Sequence, residues 1–188
     1  MPMKRSITII SLLALITIVG FVASGDAQSD SVSQKKLERE QKQEARRQQR
    51  AERLAAYERH LDSLIISRNF RFLPQTMQQL PAGMMRNLSN PVYELAFFDD
   101  AVDVCLPFLK GYTPPYYPVV FNYILSSVQN YHAVKDEHGW QITFQSTMYS
   151  ASTYTFTLEV YAKYGGALLT LSTPFYNSVQ YSGNIVSN

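Results

Sequence analysis

Residues 154–160, with the sequence YTFTLEV, decide the fold class because apolar and polar side chains alternate strictly along them. Tyr154, Phe156, Leu158 and Val160 are the apolar members. Successive side chains of a β-strand point to opposite faces, so the stretch predicts a strand with one buried and one wet face. The Gly165-Gly166 pair that follows predicts a turn into a return strand over 167–173.

The same alternation recurs on both sides of this hairpin. Trp140, Ile142 and Phe144 share one face of a strand, and the turn over 136–139 joins it to a strand from about 128. Further strands are predicted at 93–97, 102–106 and 178–185. Phe70 and Phe72 precede Pro74, which predicts a short edge strand because proline lacks a backbone donor.

These segments predict seven or eight antiparallel strands in a curved β-meander that follows an N-terminal helix, an α+β fold. No helix alternates with the strands, which argues against a parallel nucleotide-binding sheet. Alternation alone leaves open whether the sheet remains an open layer or curls into an open barrel.

The region before the sheet has a different chemistry. Residues 28–68 contain ten Lys/Arg and seven Asp/Glu, whereas residues 69–188 contain five and seven together with 22 aromatic residues. No glycine or proline interrupts 34–67, so we expect a charged helical spacer over 28–68 and an antiparallel β domain over 69–186. The helix has one apolar face to bury against that domain, namely Leu54, Tyr57, Leu61, Leu64 and Ile65.

The charge pattern of the helix indicates which partners it could contact. Glutamates interleave its basic residues, and we therefore expect a solvated spacer and no nucleic-acid binding. The alternative is a contact between this helix and a membrane surface or an envelope protein.

The N-terminus has the pattern of a secretory signal peptide. Lys4 and Arg5 precede an uncharged run over 6–24, and Gly25-Asp26-Ala27 places small residues at the cleavage position. We expect a signal peptide over 1–27, cut after Ala27, and a periplasmic or extracellular protein with no transmembrane span after cleavage. The apolar run approaches the about 20 residues that span a bilayer, so an uncleaved signal anchor is the alternative. No cysteine is near this site, which argues against a lipoprotein.

Residues suited to catalysis are sparse. His60, His132 and His138 are the only histidines, Cys105 is the only cysteine, and no Gly-x-Ser-x-Gly motif is present. We expect Cys105 to be buried, and we assign the acidic pair Asp99-Asp100 to a turn. The sequence predicts no enzyme activity, no metal site and no cofactor. Glu94, Asp103 and Glu159 show no pairing typical of a glycan-acting hydrolase, which is the third functional alternative.

The stretch CLPFLKGYTPPYYP (105–118) is the best sequence candidate for a binding surface. Pro114-Pro115 stiffens the backbone, so Tyr112, Tyr116 and Tyr117 are candidates to present an aromatic surface to a small molecule, glycan or peptide. The alternative is that these tyrosines pack over one end of the sheet and close its core.

Several short segments, in this order and spacing, resemble one known family. They are Leu106-Pro107-Phe108 with Gly111, Tyr131, the 140–144 strand, the 154–158 strand and the closing segment at 179–183. From residue 69 to 185 the chain resembles DUF4251, a domain of unknown function from secreted Bacteroidales proteins. The resemblance implies a Gram-negative periplasmic or surface location and no established reaction. The insertion over 113–117 departs from the family pattern.

Together these features predict a non-enzymatic ligand- or partner-binding protein of the bacterial envelope. The alternative is a structural scaffold of the periplasm or cell surface that acts through its N-terminal helix.

Overall fold

The computed structural model describes residues 27–99, 101–111, 117–126, 128–148, 152–163 and 165–188. One helix, α1 (Ala27–Ile66), precedes ten strands. The strands are β1 (Asn69–Gln79), β2 (Arg86–Asn87), β3 (Glu94–Phe98), β4 (Ala101–Lys110), β5 (Tyr117–Leu125), β6 (Gln129–Lys135), β7 (Gly139–Met148), β8 (Ser152–Tyr161), β9 (Gly166–Thr173) and β10 (Tyr176–Ser187).

Helix α1 is the predicted N-terminal helix. The chain divides into two compact units, Met1–Ala45 and Arg46–Asn188, and the described side chains of the first unit, from residue 34 onward, are all exposed. Within the second unit, Leu61 and Ile65 of the predicted apolar face are fully buried. Leu54 remains 44% exposed, so the buried face begins one turn later than its spacing suggests.

The strands form one antiparallel sheet in the order β5-β4-β3-β1-β10-β9-β8-β7-β6, and β2 pairs with β1. The edge strands β5 and β6 are consecutive in sequence, with only residues 126–128 between them. A connection this short spans at most about 14 Å, so the sheet must curl until its two edges approach at this corner. The predicted α+β fold is confirmed, and the sheet is a curled half-barrel.

Strand β1 corrects the prediction of a short edge strand at Phe70 and Phe72. It has 11 residues and lies inside the sheet between β3 and β10. Its pairing with β10 shifts by one residue between Pro74 and Thr76. A bulge of this kind accommodates a proline, whose missing donor would otherwise interrupt the ladder.

Two strands account for the difference between ten strands and the predicted seven or eight. β2 is two residues long, and β5 begins with Tyr117 and Pro118, so its start has the composition of a loop. Because β5 is an edge strand, a proline near its start costs the sheet little.

The inward face of the sheet forms a continuous aromatic and aliphatic core. Phe144 stacks on Phe156 of the neighbouring strand with ring centroids 4.6 Å apart, and Phe97 contacts Phe144 edge to face at 5.4 Å. Leu61 and Ile65 of α1 belong to the same cluster. Each fully buried side chain of this size contributes about 1.5–3 kcal/mol, which fixes the end of α1 on this face.

Candidate functional site

A cleft of about 410 Å³ opens where α1 ends beside the edge strand β6. Ile65, Ile66 and Arg68 form one wall. The opposite wall consists of Tyr131, His132 and Ala133 of β6 together with Trp140 of β7. Small-molecule sites usually measure about 300–1,000 Å³, so this cleft can hold a small ligand or part of a larger one.

Arg68 occupies the turn that ends α1. Its N–H donates to the carbonyl of Ile65 (3.2 Å), and its φ of 49° places it in the left-handed region. Glycine is the usual residue at this position after a helix, because a Cβ costs about 1–2 kcal/mol in this conformation. Arginine is therefore retained here at the expense of backbone strain, which makes its side chain a functional candidate.

The side chain of Arg68 lies over the aromatic ring of Tyr131, with Cζ 4.0 Å from the ring centroid. A guanidinium so placed is held by the negative face of the ring and keeps its edge donors available. Among the described residues, no carboxylate forms an ion pair with Arg68. The cleft thus contains a fixed positive charge that the described part of the chain does not neutralise.

Tyr131 is the second unusual residue of the cleft. Its hydroxyl is buried and makes no hydrogen bond of good geometry in the described part of the chain, although the guanidinium of Arg68 is close enough to interact with it. Burial raises the pKa of Tyr131, and the nearby charge of Arg68 lowers it in part. The ring also contacts Phe97 edge to face at 6.3 Å, which fixes its position. A buried hydroxyl without a good hydrogen bond is costly, so this position also favours a ligand that supplies one.

Backbone strain concentrates around these two residues. In the described ranges, the non-glycine residues with a left-handed backbone are Arg68, Asp99 and Asn130. The N–H of Asp99 donates to the carbonyl of Arg68 (3.0 Å). Asn130 immediately precedes Tyr131, at a shift in the pairing of β6 with β7. Such bulges re-aim the neighbouring side chain, and left-handed non-glycine residues cluster at functional sites.

A second set of polar contacts closes the cleft on the side of β7. Oδ1 of Asp62 accepts a hydrogen bond from Nε1 of Trp140 (2.9 Å), and Oδ2 accepts one from Nζ of Lys135 (2.7 Å). The hydrogen bonds from Lys135 and then Trp140 are the main reasons that the pKa of Asp62 is lowered. Because Lys135 already neutralises this carboxylate, Asp62 does not compensate the charge of Arg68.

The apolar part of the cleft is open to solvent. Ile66 is 71% exposed although it lies beside the core residue Ile65, and Ala133 is exposed on the inward side of β6. His132 is also exposed, but its side chain is on the face of β6 opposite to Ala133. The cleft therefore combines an apolar surface with one cation.

The predicted tyrosine surface is mostly outside the described residues. Tyr112 and Tyr116 belong to the segment that the structure does not describe, and Tyr117 begins β5 but its side chain is not described. The described ends of this loop, Lys110 and Tyr117, pair with each other at the end of β4 remote from Ala101. The length of β4 separates that end from Ala101 by about 30 Å.

The other residues considered for catalysis or metal binding do not converge on one site in the described part of the chain. His138 lies in the β6–β7 turn, where its ring is 3.5 Å from Glu137, and both side chains are largely exposed. Glu94 pairs with Arg71 at 3.4 Å. A smaller cleft of about 250 Å³ beside this turn includes Asp136, whose carboxylate accepts two backbone N–H groups of the turn. Cys105 is buried as expected, and burial raises the pKa of its thiol.

Clusters of metal ligands and membrane-spanning helices are both absent from the described residues. No group of three or more His, Cys, Asp or Glu side chains in these ranges is arranged to hold a metal ion. No helix in the same ranges is long and apolar enough to cross a membrane. The predicted signal peptide falls on residues 1–26, outside the described ranges, and on Ala27, the first residue of α1.

Sequence reasoning missed the cleft because its residues come from distant parts of the chain. Arg68 is the one residue of the cleft that the sequence could have indicated, because glycine or asparagine is the common residue directly after a helix. Tyr131 and His132 were visible as strand residues, but their faces depend on the bulge at Asn130, which no simple alternation reveals.

Comparisons with known proteins agree on the fold. The family model described as "Domain of unknown function (DUF4251)" matches residues 52–185. The crystal structure of a DUF4251 family protein from Bacteroides eggerthii DSM 20697 is similar, with a TM-score of 0.55 and 14% sequence identity. The match covers 71% of this chain and 89% of that chain. No curated protein matches the sequence significantly.

Proposed function

This chain belongs to the DUF4251 family, and from that premise we propose that it is a non-enzymatic ligand-binding protein of the bacterial envelope. The observation that supports the proposal is the cleft beside Arg68, where a strained backbone holds an unneutralised guanidinium over Tyr131. Binding is favoured over hydrolysis because catalysis requires an acid or nucleophile beside a base. The carboxylate bordering the cleft, Asp62, is already bonded to Lys135 and Trp140.

We further propose that the protein acts after export, in the periplasm or at the cell surface. The support is the basic, apolar and small-residue order over 4–27, together with the secreted character implied by the family resemblance. Intact mass measured on protein from its own envelope tests this. A denatured mass that starts at Gln28 would support export with cleavage, and a mass that includes residue 1 would overturn it in favour of a signal anchor.

Native mass spectrometry on the same sample tests ligand binding. A species present only under native conditions would give the mass of a bound ligand, and it should disappear from the Arg68→Gln variant. If wild type and variant retain the same ligand, the cleft is not its site.

The tyrosine surface is the second candidate site within this function. Tyr112, Tyr116 and Tyr117 would bind a small molecule, glycan or peptide. A triple alanine variant tests it. Loss of the ligand from this variant but not from Arg68→Gln would place binding at the tyrosines, whereas loss of folding would place their side chains in the core.

A scaffold acting through α1 is the alternative function. All described side chains from residue 34 to residue 56 are exposed, which provides a long helical surface of both charge signs. Such a surface would bind an envelope protein or a second copy of the chain. Light scattering with size-exclusion chromatography tests this, since a dimer that becomes a monomer in about 0.5 M salt would favour the scaffold.

A further inference from the structure

The groups that line the cleft indicate the chemical class of its ligand, and this inference rests on the ligand-binding function proposed above. We propose that the cleft binds an extended peptide that ends in a free carboxylate, with the peptide added as a strand along the open edge of β6 and its carboxylate on Arg68. Three features of the structure carry this proposal: the uncompensated cation, the free backbone edge and the apolar floor between them.

The backbone of β6 provides the first feature. The N–H of Asp136 donates to the carbonyl of Gly139, which closes the β6–β7 hairpin. Hydrogen-bonded pairs alternate with non-bonded pairs in an antiparallel ladder, so Val134–Gln141 is bonded and Ala133–Ile142 is not. The N–H and carbonyl of Ala133 therefore point away from β7. In the described residues nothing pairs with β6 on that side.

The length of this free edge is limited. The bulge at Asn130 interrupts it at one end, and the charged side chain of Lys135 lies at the other. Bulges and inward-pointing charges prevent continuous strand addition, which protects an edge from aggregation. Between these two residues, His132–Val134 pairs regularly with β7. The edge suits a short peptide end and not a long strand from a second copy of the chain.

Charge determines which end of a peptide fits. Arg68 presents a cation beside Tyr131, immediately before the regular segment, and no described carboxylate neutralises it. A guanidinium binds a carboxylate through two parallel hydrogen bonds. The peptide would thus run antiparallel to β6, with its last residue beside Tyr131. Its terminal side chain would pack between Ile66 and Ala133, both of which are exposed in the cleft.

A neutral glycan fits this cleft less well. Sugars bind proteins by stacking on an open aromatic face, but one face of Tyr131 is covered by Arg68 and its ring also meets Phe97. The indole N–H of Trp140 is already donated to Asp62. The available groups are thus a cation, backbone edge groups, aliphatic carbons and the partly buried ring of Trp140, and the cation with the backbone edge matches a peptide terminus.

The test uses the full chain and a library of N-terminally labelled hexapeptides whose last three positions are varied among apolar residues. The tightest hexapeptide is prepared as the free acid and as the C-terminal amide, and both are titrated by fluorescence anisotropy. We expect the amide to bind at least about tenfold more weakly, because it loses the charge-assisted pair with Arg68. In Arg68→Gln the acid and the amide should bind equally.

A separate variant tests the backbone hydrogen bonds between the peptide and the edge of β6. Ala133→Pro removes the outward N–H and leaves the β6–β7 hydrogen bonds intact, so we expect a folded protein with about tenfold weaker peptide binding. Val134→Thr, on the opposite face of the same strand, is the matched control and should bind normally. If Ala133→Pro does not fold, N-methylation of each backbone amide of the hexapeptide in turn gives the same test.

The outcomes are distinct. Equal binding of acid and amide to the wild type, or unchanged binding after loss of the Ala133 donor, would overturn the peptide proposal. Sodium benzoate and inorganic phosphate serve as small oxyanion probes. If they bind in an Arg68-dependent manner while no hexapeptide does, the peptide inference fails and the ligand-binding function stands. If nothing binds in an Arg68-dependent manner, the cleft is not a ligand site, the peptide inference fails with it, and only the tyrosine surface remains as a candidate for the ligand-binding function.

Discussion

Nε1 of Trp140 lies 2.9 Å from Oδ1 of Asp62, 78 residues earlier in the chain, and this hydrogen bond joins helix α1 to the β6–β7 hairpin. Nζ of Lys135 binds the other oxygen of the same carboxylate at 2.7 Å. One helical side chain therefore fixes two neighbouring strands, and the position of β6 determines the width of the cleft beside Arg68.

Replacement of Asp62 by alanine should destabilise the protein by about 1–2 kcal/mol, because the partly buried indole N–H of Trp140 loses its acceptor. Chemical denaturation at pH 7 measures this free energy of unfolding. Ser63→Ala, at the exposed neighbouring position of α1, is the control and should change stability by less than about 0.5 kcal/mol. Equal effects of the two substitutions would contradict the role of Asp62.

The contribution of Asp62 should also depend on pH. Its pKa is lowered in the folded state, so its stabilising effect is complete above the unfolded pKa of about 3.9 and is lost as pH falls through the lower folded value. The stability difference between wild type and Asp62→Asn should therefore shrink from pH 7 to pH 3. A difference that stayed constant over this range would show that the carboxylate charge contributes nothing.

Arg68→Gly and Arg68→Ala should differ in stability although both remove the guanidinium. Both lose the contact with Tyr131, worth about 0.5–1 kcal/mol. Only glycine relieves the left-handed backbone at φ 49°, so Arg68→Gly should be more stable than Arg68→Ala by about 1 kcal/mol. Urea denaturation of the two variants checks this, and an alanine variant as stable as the glycine variant would refute the strain argument.

Gly183→Ala should destabilise the sheet where β10 passes the bulge in β1. A Cβ at Gly183 would lie 2.1 Å from the carbonyl oxygen of Leu73, a backbone atom that cannot move without breaking the pairing. We expect a loss of about 2–3 kcal/mol, measured by thermal or chemical denaturation.

Gly166, on the adjacent strand β9, is the matched control for this prediction. A Cβ there meets only the carbonyl oxygen of Gly183, at 3.9 Å. Gly166→Ala should change stability by less than about 0.5 kcal/mol. Equal stability of the two variants would contradict the close contact between Gly183 of β10 and the carbonyl oxygen of Leu73 in β1.

Tyr181→Phe should cost about 1 kcal/mol at neutral pH. The hydroxyl of Tyr181 is fully buried and donates a 2.6 Å hydrogen bond to the carbonyl of Pro107, which connects β10 to β4. Tyr93→Phe, at a partly exposed position, is the control. Guanidinium denaturation compares the two, and equal midpoints would argue against this hydrogen bond.

The burial of the Tyr181 hydroxyl also predicts how the stability of the protein changes at high pH. Burial strongly raises the pKa of its hydroxyl, so above the unfolded value of about 10 only the unfolded chain ionises at this residue. The stabilising effect is complete below pH 10 and is lost as pH rises above it. Wild type should thus lose more stability than Tyr181→Phe between pH 9 and pH 11, and parallel losses would contradict the burial.

The sequence by itself determined the helix and most of the strands, and it missed β2 and β5. In residues 154–160 the period of two fixes which side chains face the core, and the uninterrupted helix formers before residue 67 give α1. The apolar residues near Ile65 also identified the end of the helix that packs on the sheet. These features are local, because backbone geometry converts spacing in the sequence directly into a buried face.

Only the tertiary structure decided the strand pairings that are not hairpins. Alternation identifies which side chains of β1 are buried, but it does not identify the strands that pair with β1. The proline in β1 suggested a position at the edge of the sheet. The pairing of β1 with β10 depends on packing of the whole core, so the first and last strands meet inside the sheet.

The cleft depends on the same long-range packing. Arg68 and Tyr131 come into contact because the short connection from β5 to β6 curls the sheet edge back toward the end of α1. Side-chain period along a strand cannot encode such a contact, because it fixes the face of each residue and not the distance between elements far apart in the chain.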